Sequence, residues 1–388
     1  NGVIFMRMKL KSFEWTESRD KKIETKLRNL CIDDFNLLIG DNAQGKTRLF
    51  RTLNFLSNTF KDKPLTTPGD AIILTDFSAC FNFESMNAKD ADNVRYEIDI
   101  IPGNGKNSYF EKVTRNNRIL FSTKEKILFN EFTQSEVENY FIPKNLPALS
   151  SINEPDFITI NILRGFFQRV VLVSSEKNRR VDVSPAAIIP DATGANISSV
   201  LSNWQKLYPG VFNEVMNEFK QCFPLVKKIF FTQQDIQGVM KADLLTFEEE
   251  NIYKPVLQTQ WSDGMYRILF LLVTPKIPFH FGNEVLPPSL ILIDEIENGL
   301  DFKRLKYIID YLKDYSEESQ VLIASHSPLV CDFVHPGNWK VAKRKGPEVE
   351  FLSPKNQEEE LDSQLDLFKH KHWEFYSKHI SNSEKYEI

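Results

Sequence analysis

Gly40-Asp41-Asn42-Ala43-Gln44-Gly45-Lys46-Thr47 is the stretch from which the rest of the chain is best read. Its spacing is GxxxxGK[ST]. Glycine at both ends lets successive backbone N–H groups turn toward one anion, and a helix starting beyond the loop adds the positive end of its dipole. The ammonium of Lys46 has the reach for β- and γ-phosphates, and the hydroxyl of Thr47 is a ligand for Mg2+. The flanks have the form this chemistry needs. Phe35–Ile39 is a short apolar run that enters the loop as a buried strand, and Leu49, Leu53 and Leu56 then recur at helical spacing on one face. A chance glycine turn lacks that setting.

Three later segments extend the pattern. Leu290-Ile291-Leu292-Ile293-Asp294-Glu295 reads as a buried strand ending in two acids. Asp294 would hold Mg2+ through water and Glu295 would polarise an attacking water. An apolar strand with terminal acids is common, but parallel sheets place ligands at strand C-termini, so the phosphate loop gives it weight. Leu305, Ile308, Ile309 and Leu312 follow on one helix face, as a crossover requires. Val321-Leu322-Ile323-Ala324-Ser325-His326-Ser327-Pro328 is a second such strand. A lone histidine after a strand is usually structural; one crossover after Asp294-Glu295, His326 reads as a γ-phosphate contact. Trp261-Ser262-Asp263-Gly264-Met265 precedes an apolar helix carrying Ile268, Leu269, Leu271 and Leu272. Alone it is an N-cap signal. In context it is a candidate second phosphate-binding helix terminus, with a serine hydroxyl and a glycine for close approach.

Together and in this order, the segments resemble the ABC-type ATPases, in particular their soluble SMC/RecF/OLD-like branch. Gly40-Asp41-Asn42 with Gly45-Lys46-Thr47 is similar to the GxNxxGKT of that branch. Ser262-Asp263-Gly264 resembles its signature motif, Asp294-Glu295 its Walker B acids, Asn298-Gly299-Leu300-Asp301 its D-loop and His326 its switch histidine. Gly194-Ala195-Asn196-Ile197 resembles a segment common in stand-alone members. The resemblance implies ATP and Mg2+ as cofactors, with Gly40 to Thr47, Ser262, Asp263, Gly264 and Asp301 binding nucleotide. It implies Thr47 and Asp294 on the metal, and Glu295, His326 and Lys46 in hydrolysis. It also implies a homodimer or higher homo-oligomer that completes each ATP site from two chains.

The departures narrow this. Transporter signatures read LSGGQ, unlike Trp-Ser-Asp-Gly-Met. No glutamine lies between Gln44 and Gln134, so the usual Q-loop residue has no counterpart. The stretch between the motif blocks lacks the heptads of SMC arms. Only 62 residues (388 − 326) follow His326, which leaves no room for the C-terminal TOPRIM domain of OLD nucleases.

The chain has 388 residues, 41% hydrophobic and 26% charged, with a net charge of −5. That suits a globular protein of two or three domains at roughly 150 residues each, or one large domain with an insertion, and argues against general coating of nucleic acid. Four separated cysteines, Cys31, Cys80, Cys222 and Cys331, fit a reducing compartment, and no apolar run is long enough for a bilayer, so a cytoplasmic location is expected. The expected architecture is α/β: an ABC-type P-loop ATPase with a mostly parallel core sheet, an N-terminal antiparallel β-subdomain and a helical insertion. Residues 1–123 form the N-terminal lobe, with alternation at Met6, Met8, Leu10 and at Ile23, Thr25, Leu27, and an Asn116-Asn117 hairpin turn. Residues 124–225 form the helical insertion, 226–352 the C-terminal lobe, which closes in a hairpin over Trp339 to Leu352, and 353–388 a charged, aromatic tail.

In that tail Leu361, Leu365 and Phe368 mark an amphipathic helix, and Trp373, Phe375 and Tyr376 offer interface anchors, so it reads equally as a partner-docking element or as a stripe packed back on its own domain; His370, His372 and His379 fit a polar, aromatic tail better than a metal site. Lys343-Arg344-Lys345 and Lys177, Arg179 and Arg180 read first as solvated turns and second as DNA-phosphate contacts. The resemblance extends to Septu-like, retron-associated and PARIS ATPases of antiphage defence. It implies an ATP-hydrolysing switch whose dimerisation controls a separate nuclease or toxin effector. The alternative is a RecF-like repair ATPase that binds DNA. A transporter motor and an ATP-assembled scaffold rank below these.

Overall fold

The computed structural model describes residues 7–18, 24–40, 45–60, 76–86, 91–103, 107–138, 140, 146–152, 154–175, 183–236, 240–250, 253–281 and 284–353. They gather into two compact units, residues 7–170 with 335–353, and residues 171–334.

The first unit opens with β1 (Arg7–Ser18), β2 (Glu24–Cys31), β3 (Phe35–Ile39) and α1 (Lys46–Phe60). Six strands follow: β4 (Asp76–Met86), β5 (Ala91–Ile101), β6 (Ser108–Arg115), β7 (Arg118–Ser122), β8 (Ile127–Asn130) and β9 (Ser135–Glu136). Two helices come next, α2 (Ala148–Ser151) and α3 (Ile158–Gln168). The second unit takes over within β10 (Val170–Val173). It holds α4 (Ile197–Leu207), α5 (Pro209–Cys222), β11 (Val226–Ile236), β12 (Met240–Glu249), β13 (Val256–Leu257) and α6 (Asp263–Val273). It ends with β14 (Phe279–Phe281), β15 (Glu284–Leu286), β16 (Leu290–Ile293), α7 (Phe302–Asp314), β17 (Gln320–Ala324) and α8 (Pro328–Phe333). The chain returns to the first unit in β18 (Trp339–Lys345) and β19 (Glu348–Leu352).

In the first unit the strand order is β3-β18-β19-β2-β1-β4-β5-β6-β7-β8-β9. The strand that feeds the phosphate loop, β3, is buried along its whole length and pairs in parallel with β18, Leu37 opposite Trp339 and Ile39 opposite Val341. β19 pairs in parallel with β2, Val349 opposite Leu27. The hairpin expected at 339–352 therefore wedges between β3 and β2. From β2 outward the pairing is antiparallel, and Asn116 (φ 48°) and Asn117 (φ 66°) form the two-residue turn between β6 and β7.

Alternation along β1, β4 and β5 sends Phe13, Phe81, Phe83 and Tyr96 to one buried face. There α1 and α3 cover them: the Phe167 ring lies 4.9 Å from Phe60 and 5.0 Å from Phe81, and Ser57 Oγ donates to the Phe167 carbonyl at 2.7 Å. Each buried phenylalanine contributes about 1.5–3 kcal/mol, so this aromatic layer anchors the helix that begins with Lys46.

In the second unit β10, β16 and β17 are neighbours, and β16 and β17 run parallel, Ile293 opposite Ile323. Both are buried at every position, which explains their unbroken apolar reading. β11, β12 and β13 form a separate antiparallel sheet.

The fold is the expected α/β one, with motif-bearing strands paired in parallel and an antiparallel N-terminal region. Residues 124–225, expected as a helical insertion, are more mixed. β8 and β9 continue the antiparallel sheet, α2 and α3 belong to the first unit, and α4 and α5 belong to the second. The tail beyond residue 353, with its expected helix and its histidines, lies outside the described residues. So do Lys177, Arg179 and Arg180.

Candidate nucleotide-binding site

The first unit carries the phosphate loop. Asp41, Asn42, Ala43 and Gln44 lie outside the described residues, but both ends of the loop are defined. Gly40 has φ 147°, and a Cβ there would stand 2.9 Å from the Ala342 carbonyl oxygen. Gly45 has φ 95°, and a Cβ there would meet a Val349 methyl at 3.2 Å. β18 and β19 thus back the loop closely, and both positions require glycine. Lys46 Nζ donates to the Gly40 carbonyl at 2.5 Å and so spans the loop from end to end. Helix α1 starts cleanly, Leu49 N–H donating to the Gly45 carbonyl at 2.9 Å. No acidic residue sits in its first turn, so the terminal N–H groups and dipole are left for an anion. Thr47 is exposed at that turn.

Arg48, next in sequence, pairs with Glu17 of β1, whose side chain is only 3% exposed. Glu17 lies near the end of β1. The pair ties the start of α1 to the first hairpin.

The second unit carries the other motifs. Asp294 follows β16, is 6% exposed, and donates its N–H to the Val173 carbonyl at 3.0 Å. Glu295 has φ 46°, a left-handed conformation that non-glycine residues rarely adopt. Its carboxylate accepts from Asn298 Nδ2 at 2.6 Å. Strain of this kind costs about 1–3 kcal/mol and gathers at functional sites.

Helix α6 begins at the signature-like segment. Trp261 lies between Phe219 and Phe247, with ring centroids at 5.3 and 5.2 Å, which fixes the approach to the helix. Ser262 is the N-cap, its Oγ accepting from Met265 N–H at 3.2 Å. Asp263 places a negative charge in the first turn, which opposes an anion there, unlike the start of α1. A Cβ at Gly264 would stand 2.3 Å from the Gly299 carbonyl oxygen, so α6 touches the D-loop-like turn through bare backbone. Asp301 caps α7, accepting from Arg304 N–H at 3.0 Å and pairing with the Arg304 guanidinium. These contacts, the backbone N–H of Arg304 first, hold its carboxyl below the usual range.

Two residues that the motif reading passed over organise this unit. Arg267 of α6 donates to the carbonyls of Ser174 at 2.6 Å, Asp294 at 2.7 Å and Glu295 at 3.4 Å. Burial lowers its pKa to about 10, which still leaves a cation at neutral pH. Glu297 accepts from Ser325 Oγ at 2.9 Å and from His326 N–H at 3.2 Å. Arg267 announces itself only as the one basic residue of a helix otherwise apolar beyond its first turn, and Glu297 only as a further acid after Asp294-Glu295. The second unit thus brings together Asp294, Glu295, Gly264 and His326. Gly40, Gly45, Lys46 and Thr47 are brought together in the first.

A glycine-bounded loop entering a helix, acids after a buried parallel strand and a histidine after its neighbour lie in a fold of the ABC/SMC-head kind, and the family match makes the chain an AAA-type ATPase. The chain belongs to the family described as "AAA domain, putative AbiEii toxin, Type IV TA system", which matches residues 35–332. No curated protein matches it. Among solved structures, it is similar to an SMC head bound to the C-winged helix domain of ScpA, with TM-score 0.50 and 12% identity over 90% of this chain and 99% of that one. A Pyrococcus furiosus Smc head with an extended coiled coil, bound to the C-terminal domain of ScpA, gives 0.49 and 10% over 92% and 99%. The Thermotoga maritima SMC head gives 0.41 and 11% over 89% and 98%. At such identity the first of these likenesses shows the fold alone. Among the described residues no helix is long and apolar enough to cross a membrane.

Proposed function

We propose that the chain is a Mg2+-dependent ATP hydrolase acting as a switch, in which ATP joins two copies and hydrolysis separates them. The single observation that carries this reading is Glu295, held at φ 46° directly after the buried Asp294. A carboxylate fixed in a costly backbone conformation at the C-terminal end of a parallel strand suits a group that must polarise water. The chain's residues fit the cofactors. The glycine cradle at Gly40 and Gly45 admits no side chain, the start of α1 is free of acid, and Thr47 and Asp294 offer the hard oxygen donors Mg2+ takes. In this reading Gly40 to Thr47 bind the phosphates, Lys46 neutralises their charge, and Glu295 orients the attacking water. His326 contacts the γ-phosphate. Ser262, Gly264 and Asp301 of the second copy complete the site, with Asp263 beside them at the helix start as a charge that a phosphate must be held clear of.

The intended output is control of a separate nuclease or toxin in antiphage defence. The family description, with its AbiEii toxin and type IV toxin–antitoxin system, supports that setting. The DNA-binding alternative rests on Lys343, Arg344 and Lys345 at the end of β18, of which the last two are exposed.

Mixing two inactive chains tests the shared site. Lys46→Ala breaks phosphate binding and Ser262→Arg blocks the cap supplied to the other copy. Each homodimer should be inactive, and the mixture should regain turnover through its one intact composite site. No recovery, with mixed dimers demonstrated, contradicts the shared site. Turnover stimulated by added DNA would favour the alternative.

A further inference from the structure

Glu297 takes no part in the chemistry proposed above, yet it is tied more closely to His326 than any of the motif acids. Its side chain is 14% exposed. Oε2 accepts from Ser325 Oγ at 2.9 Å, while Oε1 accepts from the His326 backbone N–H at 3.2 Å and lies 3.4 Å from His326 Nδ1. Ser325 Oγ in turn accepts from Ser327 N–H at 3.0 Å. One carboxylate therefore organises the whole turn between β17 and α8.

The topology explains how it gets there. β16 and β17 are parallel neighbours in register, Ile293 opposite Ile323, so the turns that leave them emerge side by side. Residues about thirty positions apart in sequence are thereby placed within hydrogen-bond distance. The chemistry follows from the same geometry. A carboxylate beside Nδ1 fixes the plane of the ring and leaves the Nε2 edge as the one offered to a ligand, where an N–H donates to a phosphate oxygen. The His326 side chain is 48% exposed, so the ring is held on one edge and open on the other.

We infer that Glu297 is a positioning residue for His326: it sets the ring that contacts the γ-phosphate and couples it to the turn bearing Glu295. This rests on the ATP-hydrolase reading. Because Glu297 is assigned no contact with nucleotide, its removal should leave ATP affinity within about twofold while lowering kcat. The expected loss is about 10–100-fold, the size seen when an outer partner of a functional histidine is removed. Loss through His326 also predicts that the two residues do not act independently.

The experiment measures kcat, ATP affinity and thermal unfolding for Glu297→Ala, His326→Ala and the double variant. The inference expects similar kcat losses in both single variants and no further loss in the double. A folded Glu297→Ala chain with wild-type kcat, or losses that multiply in the double variant, would overturn it. Should Glu297→Ala fail to fold, the near-isosteric Glu297→Gln decides. It should lower kcat in the wild-type background and change nothing in the His326→Ala background; no drop in the first, or the same drop in both, contradicts the inference. A wild-type chain that fails to hydrolyse ATP defeats the underlying reading and this inference with it. A wild-type chain that hydrolyses ATP while its Glu297 variants match it defeats the inference alone.

Discussion

Gly264 shows how one residue can answer to two demands. Its place in Ser262-Asp263-Gly264 suits close approach to a ligand, but its Cα already faces the Gly299 carbonyl within its own chain. A Cβ at 2.3 Å cannot be accommodated without moving α6 from the turn after β16. Gly264→Ala should therefore destabilise the chain by about 1–3 kcal/mol, the range for overpacking, seen as a lower Tm even without nucleotide. Gly210, exposed in α5 with nothing within 4 Å of its added Cβ, is the control: Gly210→Ala should leave Tm equal or slightly raised. An unshifted Tm in Gly264→Ala would contradict the close approach. For the same reason Ser262 is a cleaner probe of the composite site than Gly264. At this scale the sequence was legible where geometry is local, as in the positive φ of Gly40 and Gly45 and the buried strand that ends before Asp294. Glu17, Arg267 and Glu297 were not, because each acquires its role from a partner distant in sequence.

Helix α6 is fastened to the acidic turn by Arg267 and to the turn before α4 by Tyr266, whose hydroxyl donates to the Gly194 carbonyl at 3.0 Å. Arg267→Met keeps the stem but removes the guanidinium that donates to the carbonyls of Ser174 and Asp294. It should cost about 1–3 kcal/mol in unfolding free energy by denaturant titration and lower turnover as well. Wild-type values for both would show that the contacts are incidental.

A second element-scale prediction concerns Glu111 of β6. It accepts from Tyr96 Oη at 2.7 Å and from the N–H groups of Ala148 and Leu149 at the start of α2. Burial pushes its pKa up to about 7 despite these bonds. The folded chain then binds more protons than the unfolded one between the ordinary carboxyl range near 4.5 and about 7. This group's contribution is fully present below that window and is lost as pH rises through it, by at most about 1.4 kcal/mol per pH unit. Glu111→Gln should flatten the fall in stability between pH 5 and about 7; an unchanged slope would contradict the assignment. Element types were largely readable, since hydrophobic period sets them. Strand order was not. The hairpin at 339–352 was expected, but its insertion between β3 and β2 depends on which edges remain unpaired once the whole chain folds. The helical reading of 124–225 likewise missed β8 and β9, which are too short to show a period.

For the whole molecule, both motif-bearing units of one chain serve ATP hydrolysis in the proposed reading, with binding assigned to Lys46 and water activation to Glu295. An incidental phosphate loop would not separate these two observables. Removing the lysine ammonium takes away charge that acts on bound phosphate, whereas Glu295→Gln removes only the group that acts on water. The most direct measurement pairs ATP affinity with steady-state turnover in the wild-type, Lys46→Ala and Glu295→Gln chains. The account predicts no measurable ATP binding for Lys46→Ala. For Glu295→Gln it predicts near-wild-type affinity with turnover reduced by about 10²–10⁴-fold, the usual loss of a positioned base. Wild-type turnover in Glu295→Gln would contradict it.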